Sequence, residues 1–166
     1  MARIRALGGT MLLALVLAAS GCSGNPAPPE QAASPATIQR GQLRFVESYE
    51  EGVELAQAEG KPLFVFFTAP WCNFCHQLAA DAFTHEQVVG LSEQFVCVLV
   101  DADAQPQICR HYHVRSFPTI QFLSPRGVPL NRVTGKRPGT QLVMEMQSAL
   151  QATARRVEPG RSSTLR

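Results

Sequence analysis

Two cysteines and a histidine stand close together in the segment APWCNFCHQL, residues 69–78. Cys72, Cys75 and His76 form the pattern C-x-x-C-H, the attachment motif of c-type haem. The two cysteines alone form C-x-x-C, the motif of a redox dithiol. In the first case both sulfurs are consumed as thioethers, and in the second they remain free to form and break a disulfide. The same residues with His85 would also suit Cu(I) or zinc, so the segment alone leaves three kinds of site open.

The residues on either side of the motif predict a strand followed by a helix. The run LFVFFT, Leu63–Thr68, is short and almost wholly apolar, as in a strand that is buried on both faces of a parallel sheet. Phe74, Leu78 and Ala82 then repeat at helical spacing, which predicts a helix over about residues 72–83 with this apolar repeat along one side.

This placement gives the two cysteines different chemistry. Cys72 lies at the predicted helix N-terminus, where unpaired backbone N–H groups and the helix macrodipole favour a thiolate. We therefore expect Cys72 to attack a substrate disulfide and Cys75, one turn later, to resolve the mixed disulfide. A protonated His76, on the same helix, would help to hold the thiolate.

The rest of the chain predicts alternating strands and helices in the order βαβαβαββα. Ser48, with Glu51 three residues later, is typical of a helix start, Gly60 ends that helix, and Thr140 is the expected cap of the last helix. The order predicts an α/β protein with a central sheet and helices on both faces. The predicted strands are residues 43–46, 63–68, 95–103, 119–123 and 128–134, and further helices are expected near Thr84 and Pro106.

Two motifs in this frame resemble the thioredoxin family: Trp71-Cys72-x-x-Cys75 and Phe117-Pro118-Thr119. The resemblance extends over residues 61–150, and residues 50–89 look most like the C-terminal domain of DsbD-type thiol:disulfide interchange proteins.

This resemblance implies a thioredoxin fold with a mixed central sheet and a cis proline at Pro118. It also implies a substrate-binding surface formed by Trp71, Phe117, Pro118 and Thr119, with Cys72 as one of the two catalytic cysteines. Protein disulfides or dithiols would be the substrates, a membrane redox partner the electron donor, and no cofactor or metal would be required.

Two departures from the family pattern bear on the mechanism. The family carries a buried Asp in the strand before the motif, where this chain has Phe66. Between the cysteines stand Asn73 and Phe74 instead of the Gly-Pro of thioredoxin, so the direction of the reaction stays open. A redox-inactive or metal-handling module on the same fold, and a c-type haem protein, remain as alternatives.

Two further cysteines lie outside the motif. Cys97 stands in the apolar run FVCVLV and is expected to be a buried, inert thiol. Cys109 follows on a short helix. A structural disulfide between them is an open alternative, because sequence does not give their separation.

The N-terminal region predicts export and lipidation. A basic start and a short apolar run lead to Ala19-Ser20-Gly21-Cys22, which resembles the bacterial lipobox, so Cys22 is expected to carry lipid. We predict a signal peptide at 1–21, a disordered Pro-rich tether at 22–42, the folded domain at 43–152 and a disordered basic tail at 153–166.

The predicted location is the periplasmic side of a bacterial membrane, where disulfides persist. The formal net charge of +2 includes Arg3 and Arg5 of the leader, and nothing in the near-neutral remainder suggests nucleic acid.

Overall fold

The computed structural model describes residues 35–157. They contain one six-stranded mixed sheet with helices packed on it. The strand order is β1-β2-β4-β3-β5-β6. Strands β2, β4 and β3 are parallel to one another, whereas β1, β5 and β6 pair antiparallel with their neighbours. The strands are β1 Thr37–Arg40, β2 Leu43–Val46, β3 Leu63–Thr68, β4 Val96–Asp101, β5 Thr119–Leu123 and β6 Pro129–Thr134.

Strand β3 lies at the centre of the sheet and positions the cysteine motif. All six of its residues are buried, because helices cover both faces of the sheet. Its neighbours are β4 on one side, in parallel register, and β5 on the other, antiparallel. The apolar run therefore forms the doubly buried strand that the sequence predicts.

Five helices cover the two faces of the sheet. On one face, α1 and α4 pack against one apolar cluster, and on the other face α2, α3 and α5 pack against a second cluster. This arrangement confirms the predicted α/β class with helices on both faces. The helices are α1 Tyr49–Glu59, α2 Asn73–Asp81, α3 Glu86–Ser92, α4 Pro106–His111 and α5 Gly139–Val157, and a 3-10 turn, Ala82–Thr84, follows α2.

Local signals set the ends of α1. The side chain of Ser48 accepts a hydrogen bond from the backbone N–H of Glu51 at 3.2 Å, which satisfies one of the unpaired groups at the start of the helix. Gly60 ends the helix in the left-handed conformation, with φ of 66°. The expected cap at Thr140 is wrong, since α5 begins one residue earlier, at Gly139.

The predicted domain boundaries need correction at both ends. The range predicted as a tether includes β1, which pairs with β2 from Thr37 opposite Val46 to Arg40 opposite Leu43. The range predicted as a disordered tail begins inside α5, which continues to Val157. The predicted signal peptide, the lipidated Cys22 and the remainder of the tail lie outside the described residues. Within residues 35–157, no helix is long and apolar enough to cross a membrane.

Candidate active site

Cys72 lies where the central strand passes into α2. After β3, the backbone N–H of Cys72 donates to the carbonyl oxygen of Ala69 at 3.0 Å, which turns the chain into the helix. Cys72 is the N-cap residue of α2, and its Sγ accepts a hydrogen bond from the backbone N–H of Cys75 at 3.2 Å. The predicted position of Cys72 at a helix N-terminus is confirmed. The N–H groups there stabilise negative charge on the sulfur once the pair is reduced.

Cys72 and Cys75 are joined by a disulfide, with their Cα atoms 5.3 Å apart. Cys72 is 5% exposed and Cys75 is 1% exposed, so both sulfurs are largely shielded and Cys72 is the nearer to solvent. Since the two sulfurs are bonded to each other, they are not available in this state as thioethers to a porphyrin. The arrangement is that of a dithiol that can close within one helical turn.

The segment Phe117-Pro118-Thr119 lies beside the disulfide segment. The peptide bond between Phe117 and Pro118 is cis, as predicted. Thr119 is the first residue of β5 and pairs with Phe67, the next-to-last residue of β3. The two segments therefore lie at the same end of these two neighbouring strands. The rings of Trp71 and Phe117 pack edge to face, with their centroids 5.8 Å apart. The sheet register therefore brings together two motifs that are more than forty residues apart in sequence.

The predicted substrate-binding side chains differ in their exposure. Trp71 is 64% exposed, and its Nε1 donates to Oδ1 of Asp103 at 3.4 Å. Phe117 is half-buried against the core, whereas Pro118 and Thr119 are buried. The Thr119 hydroxyl donates to the carbonyl oxygen of Ser116 at 2.9 Å, so this side chain holds the loop and does not face solvent.

Phe74 is an exposed aromatic residue that the sequence analysis placed incorrectly. It was expected to belong to the apolar repeat of α2, but its side chain is 60% exposed beside the disulfide. The buried side of α2 instead follows Cys75, Leu78 and Ala79, with Ala82 after the helix. The spacing of those four residues, i, i+3, i+4 and i+7, was the signal in the sequence that could have placed Phe74 outside.

None of the buried polar residues in the described part of the chain is an Asp or a Glu. Phe66 occupies the position at which the resemblance led us to look for an Asp, is 1% exposed, and packs against Phe83 with ring centroids 5.0 Å apart. A proton leaving the Cys75 thiol therefore has no buried carboxylate to accept it and must pass to solvent or to the substrate thiolate.

The histidines near the motif are not gathered around the sulfurs. His76 is exposed on the first turn of α2. His85 lies beyond the 3-10 turn and packs close to Gly139 at the start of α5. His85, which the metal-binding alternative offered as a further ligand beside the two cysteines and His76, is therefore packed against the start of α5.

Cys97 and Cys109 are both free and lie on opposite faces of the sheet. Cys97 belongs to the cluster under α2, α3 and α5, and Cys109 to the cluster under α1 and α4. Because the sheet separates them, a disulfide between them is excluded. Cys97 is buried, as predicted, and burial raises the pKa of its thiol to about 12, which disfavours the reactive thiolate. Burial, followed by the nearby Asp101 carboxylate, also raises the pKa of Cys109.

Comparison with known protein families matches residues 49–150 to the thioredoxin-like domain. Among curated proteins, the chain is 36% identical over 104 residues to protein disulfide isomerase-like 5-2 of Oryza sativa subsp. japonica, covering 62% of this chain and 24% of that protein. It is 35% identical over 104 residues to the chloroplastic thioredoxin-like protein HCF164 of Arabidopsis thaliana, covering 63% of this chain and 38% of that protein. The chain thus spans well under half of the length of these two relatives.

Two solved structures resemble the domain over most of their length. A thioredoxin from Thermus thermophilus superposes with a TM-score of 0.61 at 26% identity, covering 72% of this chain and 96% of that one. A structure described as DsbH oxidoreductase superposes with a TM-score of 0.57 at 23% identity, covering 78% of this chain and 95% of that one.

Proposed function

Because the chain belongs to the thioredoxin-like family and has the thioredoxin fold, we propose that it is a thiol:disulfide oxidoreductase acting on protein substrates through Cys72 and Cys75. The observation that carries the proposal is the disulfide between these residues at a helix N-terminus. It lies at the end of β3 that is next to the Phe117-Pro118 segment before β5. Among the residues described, nothing else combines a closable dithiol with an exposed aromatic surface.

The proposed reaction is a two-step exchange that moves two electrons. In the reduced protein, the Cys72 thiolate attacks one sulfur of a substrate disulfide. A mixed disulfide forms, the substrate S–S bond breaks, and the second substrate sulfur leaves as a thiolate. The Cys75 thiolate then attacks the Cys72 sulfur, which closes the internal disulfide and releases the first substrate sulfur. The substrate gains the two electrons that the Cys72–Cys75 pair loses.

The residues around the disulfide supply the proposed substrate-binding surface. Trp71, with Phe74 and Phe117 near it, offers apolar rings to a substrate chain, and Trp71 is held through Asp103. Pro118 has no N–H of its own, so the substrate chain would pair with backbone groups beside it. Thr119 acts through the loop that it holds, by its bond to Ser116.

We propose reduction of protein disulfides as the working direction, with a dithiol membrane partner as the electron donor. This part rests on the resemblance of residues 50–89 to DsbD-type reductases. The test is the reduction potential of the Cys72–Cys75 pair against glutathione. A value near the roughly −270 mV of thioredoxin supports a reductase, and one near the roughly −120 mV of DsbA would make the protein an oxidant. A pair that does not exchange reversibly would favour the redox-inactive or metal-handling alternative.

Trapping tests the proposed role of each cysteine. In Cys75→Ser, the mixed disulfide on Cys72 cannot be resolved, so substrates should accumulate as adducts that a reductant releases. Cys72→Ser is the matched control and should form no adducts. Adducts on Cys72→Ser, or none on Cys75→Ser, would contradict the assignment.

We also propose that the mature chain is anchored by lipid at Cys22 on the periplasmic side of a membrane. The support is the sequence Ala19-Ser20-Gly21-Cys22 and the Pro-rich segment after it. Stable anchoring by lipid takes more than one chain, as in bacterial lipoproteins. Cys22→Ser should be released from the membrane or stay unprocessed. A processed, membrane-bound Cys22→Ser protein would refute the anchor without touching the redox proposal.

A further inference from the structure

The loop between β6 and α5, residues 135–138, lies directly beside Pro118. The backbone N–H of Gly135 donates to the carbonyl oxygen of Pro118 at 2.8 Å. Just before it, Thr134 of β6 pairs with Thr119 of β5. This loop therefore borders the surface on which the proposed function places the substrate chain.

Arg137 brings a positive charge to that border. Its Nη1 lies 3.6 Å from the position that a Cβ on Gly135 would occupy, and it donates to the carbonyl oxygen of Lys136 at 3.1 Å. Its side chain is half-buried, so the guanidinium is held over the loop. Among residues 35–157, no carboxylate lies within salt-bridge distance of Arg137. The guanidinium is therefore held by the Lys136 carbonyl oxygen and has no carboxylate partner among these residues.

Lys136 behaves differently, although it is the next residue in the chain. Its Nζ forms a salt bridge with Asp81 at 2.5 Å and donates to Gln77 at 3.3 Å, and both partners are on α2. Gln77 is two residues after Cys75, which is about 3 Å along the helix axis. Lys136 thus fastens the loop to the helix that carries the cysteines, and its own charge is neutralised.

Beside the Lys136–Asp81 salt bridge is a hollow, a surface pocket of about 470 Å³ that opens to solvent. Its walls come from the loop, the end of α2 and the start of α5. Arg137 supplies the hollow with a donor group that no carboxylate of the described chain occupies. The lining residues are Asp81, Lys136, Arg137, Pro138 and Gly139.

The other charges near the disulfide do not cancel that of Arg137. Arg115, two residues before Phe117, is exposed and has no carboxylate within salt-bridge distance in the described part of the chain. Asp103 is an acidic group tied to the site, and it accepts the hydrogen bond from the Trp71 indole. Asp81 is paired to Lys136, and the Asp101 carboxylate at the end of β4 accepts from the backbone N–H groups of Asp103 and Ala104. Arg137 and Arg115 therefore have no carboxylate partner in the described part of the chain.

We propose that Arg137 is a specificity-determining residue that binds a carboxylate of the substrate, so that the protein prefers disulfides with Asp or Glu close to the reacting cysteine. The proposal rests on the proposed function. An arginine binds a carboxylate through two parallel hydrogen bonds, which fixes the position of the bound side chain. A substrate chain extended beside Pro118 advances about 3.3 Å per residue, so the acidic residue would lie within about three positions of the cysteine.

The bonds that form and break are those of the proposed reaction. Cys72 forms a bond to one substrate sulfur while the substrate S–S bond breaks and its second sulfur leaves as a thiolate. Arg137 touches none of these atoms. It raises the rate at which an acidic substrate is captured, and an electrostatic capture of this kind weakens with salt.

The test compares three synthetic peptides that share one internal disulfide and differ at a single position two residues from a cysteine, which is Glu, Gln or Lys. Reduced full-length protein is mixed with each peptide, and the second-order rate constant of disulfide reduction is measured at low salt. We expect the Glu peptide to react about three- to tenfold faster than the Gln peptide, and the Lys peptide to be the slowest. High salt should bring the three rates to within about twofold of one another.

Three variants identify Arg137 as the cause. Arg137→Gln should bring the ratio of the Glu rate to the Gln rate close to one, and Arg137→Lys should restore part of it. Arg126→Gln is the matched control, because Arg126 is an exposed arginine beyond the end of β5 farthest from Pro118, and it should keep the full ratio. Equal rates in the unaltered protein, or a full ratio in Arg137→Gln, would overturn the preference and leave the proposed function standing. Failure to reduce any of the peptides would overturn both.

Discussion

Cys72 and Cys75 have different surroundings although they share one helical turn. Cys72 caps α2 and is the more exposed of the two sulfurs, whereas Cys75 lies in the apolar cluster beneath the helix. A helix N-terminus stabilises a thiolate, and an apolar environment disfavours one. We therefore expect Cys72 to be the more reactive thiol of the two in the reduced protein.

We predict that iodoacetamide labels Cys72 first in the reduced protein. Near neutral pH, its rate should exceed that of every other cysteine of the folded domain by about tenfold or more, because only the thiolate reacts. Mass spectrometry of the digested protein at short times gives the order of labelling. Cys97 and Cys109 are internal controls, since burial raises the pKa of each. Earlier labelling of Cys75 would reverse the assigned roles.

The raised pKa of Cys97 also predicts how stability changes with pH. The folded protein keeps the thiol proton up to a pKa of about 12, whereas the unfolded chain releases it near pH 9. Above pH 9 the unfolded state therefore binds fewer protons, and the free energy of unfolding falls as the pH rises. A full proton difference corresponds to about 1.4 kcal/mol per pH unit.

Replacing Cys97 by valine should remove the contribution of Cys97 to this fall in the free energy of unfolding, whereas Cys109 keeps its own contribution. Urea unfolding of both proteins, at about pH 8 and again at about pH 10.5, measures the change in unfolding free energy. We expect the unaltered protein to lose about 2 kcal/mol more than Cys97→Val over this interval. Equal losses would show that Cys97 does not carry the effect.

At the scale of the elements, the contact of α1 with the sheet depends on the absence of a side chain. Gly52 is buried in α1, and a methyl group placed there would overlap Cγ2 of Val98 on β4. The helix therefore lies closer to the strand than an alanine would allow. Glycine has a low helix propensity, so its presence within α1 is explained by this packing.

Two glycine-to-alanine substitutions separate packing from helix propensity. Gly52→Ala should lower the free energy of unfolding by about 1 to 3 kcal/mol, because the overlap forces α1 away from β4. Gly90→Ala is the matched control in α3, where nothing lies within 4 Å of the added methyl, and it should stabilise the protein by about 0.5 to 1 kcal/mol. Chemical denaturation of both variants checks the prediction, and the same sign of change in both would contradict it.

At the scale of the whole molecule, the domain extends beyond the stretch that the sequence suggested. Strand β1 adds to the edge of the sheet, and Ile38 packs against the apolar cluster that contains the disulfide. The turn after β1 has Gly41 at φ of 58° and leads to Gln42, whose N–H donates to the carbonyl oxygen of Phe83 at 3.0 Å. The start of the domain is therefore connected to the end of the helix that carries the cysteines.

Truncation tests this extension of the domain. A protein that begins at residue 43 loses the β1 ladder and the turn. Its free energy of unfolding should fall by about 1 to 3 kcal/mol, from the lost hydrogen bonds and the partly buried side chain of Ile38. A protein that begins at residue 35 keeps both and serves as the control. Equal denaturation midpoints for the two proteins would mean that β1 does not contribute to stability.

Short-range patterns in the sequence determined much of this protein. The buried run of β3, the Ser48 cap of α1 and the position of Cys72 at a helix N-terminus were all predicted, and all three are confirmed. Each depends on residues within one strand or one helical turn, so the local spacing of apolar and polar groups is enough to specify it. The order of these elements predicted the α/β class, and the resemblance carried by two short motifs implied the thioredoxin fold; both are confirmed.

Only the tertiary structure decided which distant residues meet. It separated Cys97 from Cys109 across the sheet, turned Phe74 outward and placed β1 beside β2. It also brought Gly135 to Pro118, with the Arg137 guanidinium beside Gly135. These outcomes depend on strand register and on which helix side packs inward. Both are set by the simultaneous burial of many apolar side chains that lie far apart in the chain.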